Sequence, residues 1–198
     1  MKHSNGKPHK AFQAKMLGPK AVIQHGRYEE YFASGKRLKA GSYEYGKKVG
    51  EWNFWDESGT LRKQGEYDKD RQQGSWKKFR SDGTPEWIEK YQDGLAHGVW
   101  EAFQQDGKTL NWRRSYKAGD RHGAWEDFYA DGTPKSLETF QDDKRHGDAK
   151  SWNEAGKLIG EGSHQNGKRH GRFRVFDEDG VKLIEETFWE AGIRKRAG

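Results

Sequence analysis

Residues 121–132 read RHGAWEDFYADG. Two glycines stand nine places apart in this stretch, Gly123 and Gly132, and Trp125 and Phe128 follow the first at two and five places. Moving outward in steps of 24, with one step of 25, the first glycine recurs at Gly26, Gly50, Gly74, Gly98, Gly147 and Gly171. The second recurs at Gly35, Gly59, Gly83, Gly107, Gly156 and Gly180. A fixed period of this size marks a chain of repeated supersecondary units.

The rings keep the same frame. Two places after the first glycine stand Tyr28, Trp52, Trp76, Trp100, Trp125 and Phe173, with Ala149 the exception. Five places after it stand Tyr31, Trp55, Phe79, Phe103, Phe128, Trp152 and Phe176. A third column, near the end of each unit, holds Tyr43, Tyr67, Tyr91, Tyr116, Phe140, His164 and Phe188. Tyr116 is displaced by one, which puts the extra residue of the long step between Gly107 and Tyr116. Offsets of two and five cannot share a face of a regular strand. Either a bulge restores them to one side or the sheet carries rings on both faces.

Each unit predicts a β-hairpin. Asp precedes the second glycine at Asp82, Asp106, Asp131 and Asp179, and Asp-Gly between aromatic-rich segments signals a type I′ turn with positive φ at both central residues. The flanking segments have strand length, and glycines break any helical run. At the other end of the hairpin lies a short basic phrase, as in DGLAHG (93–98), AGDRHG (118–123), DDKRHG (142–147) and NGKRHG (166–171). It links one unit's second strand to the next unit's first. NGKPHKAF (5–12) resembles NGKRHGRF (166–173), so residues 1–24 are expected to form a degenerate N-terminal capping half-repeat. Residues 25–193 form the repeat array, and 194–198 a short basic tail. The fold class is all-β, a meander of about seven hairpins of 24 residues.

Composition limits what such a chain does. Only 31% of residues are hydrophobic, yet 14% are aromatic, so rings are expected to be buried where most proteins bury aliphatic chains. The formal charge of +6 comes from Lys2, Lys7, Lys10, Lys15, Lys20 and Arg27, all ahead of the first acid at Glu29. The rest is balanced, so nucleic acid is not an expected partner. There is no cysteine, hence no disulfide or thiolate metal site. No apolar run reaches the roughly 18 residues of a membrane span. No apolar stretch of about 7–15 residues follows the first lysines. A cytoplasmic location is the expectation, unless a signal segment has been removed.

These residues resemble the MORN-repeat variant family: G-x-W-x-x-F-x-x-x-G, then Y-x-x-G, then a basic turn such as KRHG. The resemblance covers about 25–193, with departures at Val49 and Gln73 for the pre-glycine His and at Asp70 and Asp143 for a turn glycine. It implies an elongated, twisted, single-layer antiparallel sheet. Bacterial chains built wholly of such repeats resemble the YwqK-type antitoxins, immunity partners of toxins; other members are scaffolds, and acidic-phospholipid binding has been proposed for some.

Candidate functional residues follow from type and place. His25, His97, His122, His146 and His170 all precede the repeat glycine and line one edge. Adjacent ones lie two strand spacings apart, roughly 10 Å, too far to share a zinc ion bound at about 2 Å. No metal site or cofactor is expected. His97, His122, His146 and His170 with Lys144 and Lys168 are candidate anion contacts, suited to phosphate or acidic lipid headgroups; a solvated turn row is the competing reading. Trp52, Trp76, Trp87, Trp100, Trp112, Trp125, Arg121, Arg145 and Arg169 are the candidate protein-binding anchors, because Trp and Arg dominate interface energetics. Trp87 and Trp112 lie outside the shared columns and serve either a partner or packing between units. No nucleophile elbow, metalloprotease motif or phosphate loop occurs, so no enzyme is expected. The expected function is an antitoxin or immunity protein that binds and neutralises a cognate toxin or effector. The alternative is a scaffold on acidic phospholipid. Exposed terminal strands leave monomer and homodimer both open.

Overall fold

A computed structural model describes residues 1–18 and 21–195. Lys20 of the basic head and residues 196–198 of the basic tail lie outside the described residues. The described chain is all-β and antiparallel, and it divides into two bodies, Met1–Leu95 and Ala96–Gly198. The first contains β1 (Lys10–Gly18), β2 (Ala21–Tyr31), β3 (Arg37–Glu44), β4 (Lys47–Trp55), β5 (Leu61–Asp68), β6 (Arg71–Phe79) and β7 (Pro85–Gln92). A two-residue strand, β8 (Leu95–Ala96), stands at the division. The second contains β9 (Gly98–Phe103), β10 (Leu110–Lys117), β11 (Asp120–Phe128), β12 (Pro134–Gln141), β13 (Lys144–Trp152), β14 (Leu158–Gln165), β15 (Lys168–Arg169), β16 (Gly171–Phe176), β17 (Leu183–Glu190) and β18 (Ile193–Lys195). Within each body successive strands pair as hairpins, with β14 carrying both β15 and β16.

The two ends of each hairpin turn differently. At the basic phrase both central residues have positive φ: Tyr45 and Gly46 at 46° and 79°, Asn166 and Gly167 at 50° and 85°. This is the type I′ turn. Asp70 and Asp143 adopt the same left-handed conformation in place of glycine, at 70° and 64°. At the Asp-Gly end only the glycine is left-handed, so the type I′ expectation there is corrected. Asp82 and Asp131 are absent from the positive-φ residues, while Gly83 and Gly132 have φ of 84° and 90°. The loop is a type I turn closed by a glycine bulge. In these two units the aspartate braces it: Asp82 Oδ1 accepts the Thr84 N–H at 2.9 Å, and Asp131 Oδ1 that of Thr133 at 2.9 Å. Where Ser34, Ser58 or Ala155 stands instead, the glycine N–H closes the same turn.

Gly6 belongs to this second kind of loop. Its N–H donates to the His3 carbonyl at 3.0 Å, as Gly83 N–H does to Arg80 at 3.0 Å, and Asn5 Oδ1 accepts the Lys7 N–H at 3.1 Å. The expected match of NGKPHKAF to the basic phrase is therefore corrected. Asn-Gly satisfies either turn, and the local letters do not choose between them. The head lies along β2 instead, with His3 Nε2 at 2.8 Å from the Tyr31 carbonyl and Phe12 stacked on Tyr28 at 6.4 Å.

Ring placement follows from the bulge at the repeat glycine. Ala40 pairs with Asn53 but Ser42 with Val49, so β4 carries two extra residues between Val49 and Asn53, around Gly50, whose φ is 63°. A second shift, between Phe54 and Trp55, puts its extra residue, Arg62, in β5 and leaves the alternation of β4 intact. Trp52 and Phe54 share a face, with centroids 6.2 Å apart, and alternation sends Trp55 to the other, where the Arg37 guanidinium covers it at 5.2 Å. Rings occupy both faces.

On the first face they interlock. Tyr28, Tyr43, Trp52, Tyr67 and Trp76 follow one another at 5.2, 5.1, 6.2 and 4.9 Å, mostly edge to face, the arrangement ring quadrupoles favour. Trp52 and Trp76 are 0% exposed. Full burial of an indole removes on the order of 200 Å² from water, about 5 kcal/mol before entropy. Close approach requires glycine beneath: a Cβ on Gly41 or Gly65 would overlap the ring of Trp52 or Trp76. In the second body the ladder runs Trp100, Tyr116, Trp125, Phe140 at 4.8, 5.5 and 5.1 Å. It resumes as His164, Phe173, Trp189 at 5.5 and 6.4 Å. Trp189, not the expected Phe188, is the last rung. The final loop is one residue longer, with Asp177 N–H reaching the Lys182 carbonyl where Asn153 N–H reaches Lys157.

Candidate binding surface

Each basic phrase is clipped to the next by its own backbone. The N–H at the second turn position donates to a carbonyl two residues before the preceding repeat glycine: Gly46 to Gln24 at 2.8 Å, Gly94 to Gln72 at 2.9 Å, Gly167 to Arg145 at 2.8 Å. The pre-glycine side chain adds a second clip. Nδ1 of His25 accepts the Tyr45 N–H at 3.4 Å, and Nδ1 of His97 that of Ala118 at 3.5 Å. Gln73, which departs from the His pattern, does the same with Oε1 on the Asp93 N–H at 3.1 Å. At His25 and His97 the imidazole is thus an acceptor between units. In the later phrases the Nδ1 atoms of His122, His146 and His170 are buried without a hydrogen bond, and His122 Nδ1 lies 3.4 Å from Asp142 Oδ1. That spacing becomes an ion pair only with a protonated ring. Where a turn glycine is replaced, the carboxylate supplies the clip: Asp70 Oδ1 accepts Lys48 N–H at 2.9 Å, and Asp143 Oδ1 accepts Arg121 N–H at 3.0 Å.

In three repeats a cation two places before the glycine lies over the ring ladder. Lys48 sits 5.2 Å from Trp52 and 4.7 Å from Tyr67, Arg121 5.6 Å from Trp125 and 4.5 Å from Phe140, and Arg169 5.1 Å from Phe173 and 5.0 Å from Trp189. Burial beneath this cover holds the Lys48 ammonium below its ordinary pKa, and Lys39 adds to the effect. Arg121 is also bound by Asp143 at 3.0 Å. Arg145 holds the same position with no ring at offset two, because Ala149 interrupts the column; it pairs with Glu138 at 2.8 Å, and its charge acts on the His164 imidazole. Lys144 and Lys168 are exposed.

The proposed tryptophan anchors separate accordingly. Trp52 and Trp76 have no exposed surface and hold the sheet together, so neither offers a partner anything to touch. Trp100 and Trp125 are half-buried rungs. Trp87 and Trp112 stand on the ladder face, Trp87 beneath Lys63 and Lys78 at 5.6 and 5.3 Å and Trp112 beside Arg114 at 5.3 Å. Both are half-buried.

Around Ala149 this face opens into a cavity of about 480 Å³. Its floor is Ser136, Ala149, Ser151, Gly160 and Gly162, and its walls include Phe173, Trp189 and Arg169. Matching places in several other units carry bulk: Trp87 and Trp112 where Ser136 and Gly160 stand, Phe54 and Lys78 where Ser151 stands, although Ala102 is as small as Ser151. Sequence reasoning noted Ala149 as an exception but did not connect it with Ser136, Ser151 and Gly160. Their shared face becomes readable only once the bulge fixes the register.

The model of the MORN repeat variant matches residues 24–45, 48–69, 121–142, 145–166 and 169–190, more than half of the chain. The chain belongs to that family. No curated protein matches it. Each matched segment begins within or just before a basic phrase and ends at the following turn, so the MORN-variant unit coincides with the stretch that the clips and the ladder join. As a MORN-variant chain it is a repeat protein of the kind involved in binding.

Proposed function

We propose that this protein is a non-catalytic immunity protein or antitoxin, acting in the cytoplasm, that binds a cognate protein toxin or effector and occludes it. The observation that carries the reading is the cavity at Ala149, set in a face whose side chains are already fixed by ring packing. A surface with little conformational entropy left to lose binds tightly for its area. Half-buried Trp and Arg side chains around it are of the type that anchors interfaces. Repeats built wholly of this variant, as in the antitoxin chains the sequence resembles, support the toxin as partner.

Co-expression with the products of neighbouring reading frames tests it. A growth-arresting product should lose its toxicity when this chain is present, and Arg145→Glu should restore the arrest. Absence of any neutralised product, together with salt-sensitive binding of the purified chain to anionic liposomes, would replace the reading with the phospholipid scaffold. Exposed Lys144 and Lys168 are the residues that would serve it.

A further inference from the structure

We propose that the cavity at Ala149 is a receptor for one aromatic side chain presented by a protein partner, an indole being the best match. The proposal deepens the binding function above and rests on it for the source of the ring. Three independent features specify the occupant.

The first is the ladder itself. Every other repeat places a ring two residues after the glycine, and in the second body the described ladder stops at Phe140 and resumes at His164. Rungs on either side of the break are spaced 5.1 and 5.5 Å, within the range at which rings stack edge-on or offset. A ring entering the gap would stand over Ala149 and Glu138, between the Phe140 and His164 rungs, with Phe173 and Trp189 as the ring walls of the cavity it enters.

The second is a hydrogen-bond acceptor. The indole N–H groups of Trp52, Trp76 and Trp125 donate to the carbonyls of Ser42, Glu66 and Ser115, at 3.2, 3.1 and 3.0 Å. Register carries this to the gap. Arg114 pairs with Trp125 and Tyr116 with Arg121, and likewise Glu138 pairs with Ala149 and Phe140 with Arg145. The skipped residue is Ser115 in the first case and Thr139 in the second. The Thr139 carbonyl therefore stands where its counterpart receives an indole.

The third is the cation. Lys48, Arg121 and Arg169 cover rings at offset two from the position that Arg145 occupies above Ala149. Arg145 instead holds Glu138 in a half-exposed two-point pair, Nε to Oε2 at 3.0 Å and Nη2 to Oε1 at 2.8 Å. An incoming ring would exchange that pair for a cation–π contact, which strengthens as the ring excludes water. Glu138, released, accepts a phenol or indole proton. An aliphatic side chain would use neither the cation nor the acceptor.

The test needs no toxin. N-acetyl-L-tryptophanamide titrated into the isotope-labelled full chain should shift the amides of Ala149, Gly160 and Gly162 and the Trp189 indole saturably, with a midpoint of about 1 mM. N-acetyl-L-leucinamide should shift them at least tenfold less (roughly 1.4 kcal/mol). Ala149→Trp, which supplies the ring covalently, should abolish the shifts, as should Ser136→Trp, which copies a side chain found at the same place in Trp112. Equal shifts with both amides, no saturable shift in the unsubstituted protein, or shifts that persist in two folded filled variants would overturn the proposal. If neither variant folds, the comparison of the two amides decides alone. A negative titration leaves toxin neutralisation standing. A positive one beside failed neutralisation would keep the aromatic receptor and remove the toxin.

Discussion

At the scale of the residue, the decisive pairs are a ring and the atom it cannot tolerate beneath it. Gly65 lies under the fully buried Trp76 indole, and an added Cβ would overlap the ring. Gly65→Ala should therefore cost about 2–4 kcal/mol, by overpacking a rigid site, measured as a lower urea midpoint at unchanged slope. The tryptophan columns were legible as a 24-residue rhythm, but this glycine column was not. Only Gly41, Gly65 and Gly162 occupy it, while Arg114 and Glu138 hold the same place elsewhere. His164 is the polar rung. Burial chiefly, then the Arg145 charge, keeps its imidazole below the ordinary pKa, so the folded protein favours the neutral ring. A folded pKa below the unfolded value of about 6.5 gives stability that is full above that pH and lost as pH falls towards the folded value. His164→Phe, which installs the rung found at Phe140, should flatten the dependence of melting temperature on pH between about 6.5 and 5. A variant as pH-sensitive as the parent would show that the imidazole is solvated.

At the scale of the element, two glycine-bearing turns look alike in the sequence and differ in the chain. Both have a left-handed second residue, and they differ in the one before it, left-handed at Tyr45 and Asn166 but not at Asp82 and Asp131. That is why the strands were legible from the alternation of rings and glycines, while the turn type and the assignment of Gly6 were not. The same aspartates make a prediction. Hydrogen bonds from Thr109, side chain first and then backbone with that of Lys108, pull the Asp106 carboxyl down to about 2, and Asp82 and Asp131 are lowered by their bonds to Thr84 and Thr133. Folded values below the unfolded value of about 3.9 mean stability present above that pH and lost as pH falls through the folded values. The protein should lose melting temperature between about pH 4 and 2. Asp82→Ala with Asp131→Ala should melt lower at neutral pH and lose less over that acid range. An identical acid slope in the double variant would assign the loss to other carboxylates.

At the scale of the whole molecule, stability in a repeat chain is close to a sum over units and their nearest neighbours, so an interrupted column is a local weakness. The sequence displayed the interruption as one letter, Ala149. Its meaning required the face on which Ser136, Ser151 and Gly160 join it, and that face is set by bulges no composition reveals. Local opening free energies follow buried apolar contact and the cover over backbone hydrogen bonds. β4–β6 carry both fully buried indoles, whereas β12–β14 surround the cavity. Amide exchange should therefore be slowest in β4–β6, and in β13 and β14 faster by a factor of about ten or more, equivalent to roughly 1.4 kcal/mol. Ala149→Trp should slow exchange in β13 and β14 while leaving β4–β6 unchanged, because couplings between units reach only adjacent ones. Uniform slowing across the chain would mean that the molecule opens as one cooperative block. In that case the empty place in the ladder would be a cost borne by the entire fold rather than a local weakness of β13 and β14.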